Sequence, residues 1–114
     1  MDPDPQSVVE SIDSEDAREI LALASREPMS VDEFEAEVGV SLATVYRRTD
    51  ELTGQGFLEE RTEVADDGDH YSSYETSLHR ITFTVEDGEF RVDVEVRRDD
   101  DKFARLWRSL GGSS

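Results

Sequence analysis

The residues with the most chemical capacity lie together. Within the eight positions Ser41 to Arg48 the chain places two hydroxyls (Ser41, Thr44), a phenol ring (Tyr46) and two guanidinium groups (Arg47, Arg48). These groups recognise rather than transform. An arginine can bond a guanine edge in two-pronged fashion, and a threonine can meet a thymine methyl or a phosphate. No nucleophile–base pair, phosphate-cradling loop or metal-ligand cluster accompanies them, so the reading is of a non-enzyme without cofactor. His70 and His79 could join the nearby aspartates around a metal, but two histidines nine apart match no compact ligand spacing and read as ordinary strand residues. The absence of cysteine excludes disulfides and thiolate metal sites.

A helix must position this set. Ser41 is its N-cap, it runs to about Leu52 or Thr53, and Gly54 and Gly56 end it. At about 100° per residue, Val45, Thr49 and Leu52 share one face, with Leu42 at its edge. Ala43, Thr44, Tyr46, Arg47, Asp50 and Glu51 point the other way, and Arg48 lies on the flank. Small residues on that outer face let the helix approach base edges; Arg48 suits a phosphate. A shorter helix precedes it. Ser30-Val31-Asp32-Glu33 reads as a capping box opening a helix over about 31–38, with Val31, Phe34 and Val38 buried and Gly39 as its end. Upstream, Asp13 or Ser14 caps a helix to about Arg26 whose apolar positions are Ala17, Ile20, Leu21 and Ala24, and Pro28 stops it. Residues 1–6 read as a frayed polar tail, and Val8, Val9 and Ile12 as a short helical turn.

Beyond Gly56 the periodicity changes to two. Residues 57–65 and about 70–78 form an expected hairpin with Asp66-Asp67-Gly68-Asp69 at its tip. A second hairpin turns at Asp87-Gly88, which suits a two-residue turn with positive φ. That turn sets Val85 against Phe90, Phe83 against Val92 and Ile81 against Val94, with Arg80 opposite Glu95 on the other face. A last helix, about 101–110, carries Phe103, Leu106, Trp107 and Leu110 on one stripe, read as core or dimer contacts in preference to the lining of an effector pocket. A helix this short needs a surface to pack on. Residues 111–114 are a loose tail.

Charge complicates the picture. The 114 residues hold 29 acidic against 12 basic side chains, a formal net charge of −17, and 11 of the 12 basic residues are arginine. A dense negative charge argues against a nucleic-acid partner. Disorder is one reading, but the apolar periodicity speaks against it. The other is adaptation to molar salt, where the Debye length of about 3 Å leaves surface carboxylates barely repelling one another or a phosphate. Scarce lysine with retained arginine resembles proteins of salt-loving archaea. Potassium ions at the acidic surface are then expected partners. No apolar run approaches the roughly 20 residues of a membrane span and no basic-then-apolar leader opens the chain, so a soluble, cytoplasmic protein is expected.

The stretch Phe34 to Arg48, with its Gly39 turn, fits a helix-turn-helix. Ser41-Leu42-Ala43-Thr44-Val45-Tyr46-Arg47-Arg48-Thr49-Asp50-Glu51-Leu52, followed by Gly56-Phe57-Leu58-Glu59-Glu60, resembles the recognition helix and first wing strand of winged helix-turn-helix transcription regulators of the ArsR and MarR type. The likeness covers roughly residues 15–78, and the remainder is similar to small haloarchaeal regulators of that class. It implies that Ser41, Ala43, Thr44, Tyr46 and Arg47 face DNA and that the wing straddles the backbone. The chain departs from the family in lacking the paired cysteines of ArsR-type metal sensors and in its acidic wing tip, which leaves Arg61 as the better wing contact.

The expected architecture is therefore α+β, a winged helix-turn-helix with an additional C-terminal β-hairpin and a short C-terminal helix. Residues 1–6 are a disordered tail, 7–78 the DNA-binding domain, 79–110 a dimerisation element and 111–114 a tail. The expected function is sequence-specific binding of double-stranded DNA by a homodimer that regulates transcription. The alternative is a winged-helix protein-interaction module, for which −17 suits a basic partner. The two differ in whether Arg47, Arg48, Arg61 and the end of the first helix form one positive strip.

Overall fold

A computed structural model describes residues 3–97 of the chain. The elements in order are α1 (Pro5–Ile12), α2 (Glu15–Ala24), β1 (Met29–Ser30), α3 (Val31–Val38), α4 (Leu42–Gly54), β2 (Leu58–Val64), β3 (His70–Thr76), β4 (Leu78–Glu86) and β5 (Glu89–Val96). The strands make two small antiparallel sheets, β1-β3-β2 and β4-β5, and the class is α+β. The segment 101–110, with Phe103, Leu106, Trp107 and Leu110, lies outside the described residues. Among the described residues no helix is long and apolar enough to cross a membrane.

The first helix reaches further back than composition suggests, so residues 5 and 6 are not part of a frayed tail. Asp4 accepts hydrogen bonds from the Ser7 N–H (3.3 Å) and the Ser7 hydroxyl (2.8 Å), and Pro5 sits in the first turn, where a missing N–H costs nothing. Val8 then turns inward and is fully buried. Arg18 of α2 donates to the carbonyls of Ile12 and Asp13, both at 2.9 Å, and so closes the open C-terminal end of α1. Ser14 caps α2 as its sequence implies.

The capping box of α3 is complete: the Glu33 N–H donates to Ser30 Oγ at 3.2 Å and the Ser30 N–H to Glu33 Oε1 at 3.1 Å. Gly39 ends the helix in the left-handed region (φ 78°), where a side chain would be strained. Three residues later α4 begins, so α3 and α4 are joined by a tight turn.

Two residues ahead of α3, Met29 and Ser30 pair with Tyr74 and Ser73. A two-residue strand is too short to show alternation, and the sequence pattern does not reveal it. It ties the entrance of α3 to the centre of the sheet. Ile20, Phe34, Val45, Leu52, Phe57 and Leu58 fill the core between the helices and this sheet, each with almost no exposed surface. Thr76 adds a link by donating its hydroxyl to the Leu21 carbonyl at 2.7 Å.

The β4–β5 hairpin has the register the Asp87-Gly88 turn dictates, with Val85↔Phe90, Phe83↔Val92, Ile81↔Val94 and Arg80↔Glu95. Both turn residues have positive φ (53° and 78°), the twist that suits a tight hairpin. An irregularity between Leu78 and Arg80 shifts the last pair, Leu78↔Val96. At its root the hairpin joins the main core: Val92 is buried, and Leu78, Ile81 and Val94 pack against the cluster. A boundary at residues 78/79 therefore divides the chain within a shared core.

Candidate functional site

The surface of α4 divides as its sequence requires. Val45, Thr49 and Leu52 have no exposed surface, and Thr49 directs its hydroxyl to the Tyr46 carbonyl at 3.1 Å. Ala43, Tyr46, Arg47, Asp50 and Glu51 face outward. Tyr46 is 54% exposed, so its ring does not serve as packing against the preceding helices. Ser41 and Thr44 are bound to each other: the Thr44 N–H donates to Ser41 Oγ at 3.2 Å, and the Ser41 hydroxyl donates to Thr44 Oγ1 at 3.0 Å. The same hydroxyls that could meet a ligand thus cap the helix.

The three arginines differ. Among the described residues no carboxylate lies in ion-pair distance of Arg47. Arg48 is engaged on both sides. Its Nε lies 3.3 Å from Asp16 Oδ2 on α2, and its Nη1 3.5 Å from Glu51 Oε2 one turn on. A hydrogen bond from the Ser14 hydroxyl, supported by the Arg48 guanidinium, holds the Asp16 carboxyl below its ordinary value against the opposing effect of burial. Arg61 lies 3.1 Å from Glu75 Oε2.

Helix α4 and the β2–β3 hairpin flank one groove of about 430 Å³. Tyr46 and Asp50 form its helix side, Glu60, Ser72 and Tyr74 its sheet side, and Asp32 lies at the end where α3 begins. Register places Glu60 opposite Tyr74 and Arg61 opposite Ser73. Successive strand residues point to opposite faces, so Glu60 lines the groove and Arg61 stands on the other face of β2. Arg61, the wing contact expected from the sequence, is thus not in the groove, whereas Glu60, Tyr71 and Ser72, to which local pattern assigns no role, line it. The signal for Glu60 was the alternation itself, but which face of β2 meets α4 depends on the pairing of β3 with both β1 and β2.

Tyr74 sits at the base of this groove, 6.4 Å from Phe34 between ring centroids. Burial, with the Glu60 charge and a smaller push from Asp50, raises its phenol above the ordinary range, while a hydrogen bond with Thr49 works the other way. The phenol therefore stays protonated and remains a donor. With Asp32, Asp50 and Glu60 around it, the groove is electronegative, and Arg47, next in sequence to Tyr46, is exposed on the same helix.

The tip of the β2–β3 hairpin is held by its own backbone, Gly68 N–H to Ala65 O at 2.9 Å and Ala65 N–H to Asp69 O at 2.8 Å. Its aspartates are exposed. His70 opens β3, whereas His79 lies at the root of the other hairpin and accepts from Arg97 through Nδ1. Among the described residues no group of three or more His, Asp or Glu is arranged to hold a metal ion. No protein-family model matches this sequence, and no curated protein matches it.

Proposed function

We propose that the chain is a winged helix-turn-helix protein that binds double-stranded DNA, with α4 as its recognition helix and the β2–β3 hairpin as the wing. The observation that carries the reading is the outward face of α4. Ala43, Tyr46 and Arg47, which has no ion-pair partner among the described residues, stand clear of the core on a 13-residue helix anchored by Val45, Thr49 and Leu52. Such a helix can enter a major groove about 12 Å wide. As a homodimer, the protein would place two of them in successive major grooves about 34 Å apart on a roughly palindromic site. Regulation of transcription in the cytoplasm of a salt-accumulating cell is the setting that suits a net charge of −17.

Arg47 has the leading role in base readout, with Thr44 and Ala43 at the approach and Tyr46 beside them. Arg48 supports the helix from α2 before it reaches a phosphate, and Arg61 faces away from the groove. The deciding experiment measures specific DNA binding in high salt for Arg47→Ala and Thr44→Ala. Loss of affinity and relaxed base preference are expected; unchanged binding in both variants would sink the assignment.

A second reading is favoured by one specific observation. The carboxylates beside Arg48 and Arg61, and the acidic groove next to Arg47, prevent these arginines from forming one positive strip. A basic protein partner in the groove fits that charge better than a phosphate backbone does. Retention of such a partner with no DNA binding at any salt concentration would select this reading over the first.

A further inference from the structure

The end of α2 and the root of the β4–β5 hairpin flank a cavity of about 470 Å³, a size that suits a small molecule. It shares no residue with the groove beside α4. Acidic side chains make up 29 of the 114 residues, yet among the described residues none lines this cavity. His79, Arg80 and Arg97 line it instead, against an apolar wall of Leu21, Leu78 and Ile81.

A bulge gathers the basic groups. Leu78 pairs with Val96 and Arg80 with Glu95, which leaves His79 as an extra residue on β4. Regular strand neighbours point to opposite faces; here the adjacent His79 and Arg80 both reach one cavity. Arg97, just past the end of β5, is half-buried. Its Nε and Nη2 donate to His79 Nδ1 at 3.1 and 2.7 Å, and its backbone N–H donates to the Ser77 carbonyl at 2.7 Å. An arginine has no acceptor, so Nδ1 is unprotonated and the ring N–H is at Nε2. Among the described residues no carboxylate lies in ion-pair distance of Arg80 or Arg97. Even Glu95, opposite Arg80 in the sheet, makes no ion pair with it.

The hydroxyls of the cavity are already committed. Ser25 donates to the Ala22 carbonyl at 2.6 Å and Thr76 to the Leu21 carbonyl at 2.7 Å. The donors left over are guanidinium and imidazole N–H groups, and guanidinium groups take carboxylate or phosphate oxygens in pairs. In molar salt, charge alone selects little, because the Debye length is about 3 Å and chloride competes. The leucine and isoleucine wall supplies the selection that a bare ion lacks, each buried methylene favouring binding by about fourfold.

We propose that this cavity binds a small organic oxyanion, a carboxylate or phosphate monoester with a short hydrocarbon body. Arg80 and Arg97 hold the charged head, His79 orients Arg97, and Leu21, Leu78 and Ile81 cover the hydrocarbon. The site goes beyond the DNA-binding reading and does not depend on it.

The test titrates the full-length protein in molar KCl with hexanoate and with hexyl phosphate, followed by nuclear magnetic resonance. Saturable shifts are expected at the methyl groups of Leu21, Leu78 and Ile81 and at the Arg97 Nε–H, and the tighter of the two probes identifies the head group. Acetate should bind at least about tenfold more weakly than hexanoate, for want of methylenes to bury. The double substitution Arg80→Gln, Arg97→Gln should weaken the tighter probe at least about tenfold, through loss of charge-assisted hydrogen bonds. Should that variant fail to fold, Arg80→Gln alone, at an exposed position, should weaken binding several-fold. No saturation by either probe overturns the proposal. Equal affinity for acetate and hexanoate, undiminished affinity in the arginine variants, or equally tight binding of hexyltrimethylammonium each overturns it as well.

Discussion

Arg48 Nε and Asp16 Oδ2 lie 3.3 Å apart, 32 residues away from each other in sequence, and their contact fastens the flank of α4 to α2. Both side chains are mostly covered, at 21% and 16% exposure, so solvent screens the pair less than a surface ion pair. The neighbouring Arg47 faces outward with no such partner among the described residues. Two adjacent arginines therefore have separate duties, one inside the molecule and one on its surface.

This division predicts opposite phenotypes. Arg48→Ala should destabilise the fold by about 1 kcal/mol, whereas Arg47→Ala should change stability by less than about 0.5 kcal/mol, as surface substitutions usually do. In DNA binding the order reverses, with Arg47→Ala costing about 1–3 kcal/mol and relaxing specificity at one base position. Urea denaturation at fixed KCl together with binding isotherms for both variants checks the pair of expectations.

Acid should act through Asp16. Its carboxyl is held below the ordinary value of 3.8 in the folded chain, mainly by the Ser14 hydroxyl and then by Arg48. A depressed folded value means that its contribution is complete above the unfolded value and is lost as pH falls through the folded one. Stability followed by urea denaturation from about pH 6 to about pH 3 should fall less steeply in Asp16→Asn than in the wild type. Parallel curves would show that Asp16 carries no such linkage.

Tyr74 should mark the alkaline side. The chain has three tyrosines; Tyr46 and Tyr71 are exposed, while Tyr74 is buried with its phenol raised above 10.0 by burial and the Glu60 charge. A raised folded value gives a contribution that is complete below the unfolded value and lost as pH rises through the folded one. Ultraviolet titration should show a tyrosine step displaced above the ordinary phenol range, and Tyr74→Phe should remove that step. Persistence of the displaced step in Tyr74→Phe would contradict the assignment.

Salt should act unusually on binding. DNA association ordinarily weakens with salt because counterions leave the phosphates. Here Asp50, Glu60 and the exposed aspartates of the β2–β3 tip lie beside or near the proposed interface, and cations taken up between carboxylate and phosphate would oppose that release. Affinity should depend only weakly on KCl or rise with it. A steep ordinary decline would refute cation uptake.

Much of the fold is legible along the chain. The capping box at Ser30 and Glu33, the Gly39 turn, the buried face Val45–Thr49–Leu52 and the register set by Asp87-Gly88 are local signals, and the structure has each of them. They are legible because capping, left-handed backbone and side-chain periodicity act over a few residues. The Asp4 cap was also local, yet two prolines disguised the start of α1 as a tail. The sequence also determined the inventory of the candidate site on α4, from Ser41 through Arg48.

Tertiary structure decided what those groups are free to do. That Arg48 is held by Asp16, that Arg61 turns from the groove while Glu60 lines it, and that Met29-Ser30 completes the sheet all depend on partners 12 to 45 residues away. The arrangement of α2 against α4 and of β3 between β1 and β2 brings these partners together, and burial then sets how strongly their charges interact. Local pattern carries no record of such contacts, because a charge is the same letter whether it is paired across the fold or presented to solvent.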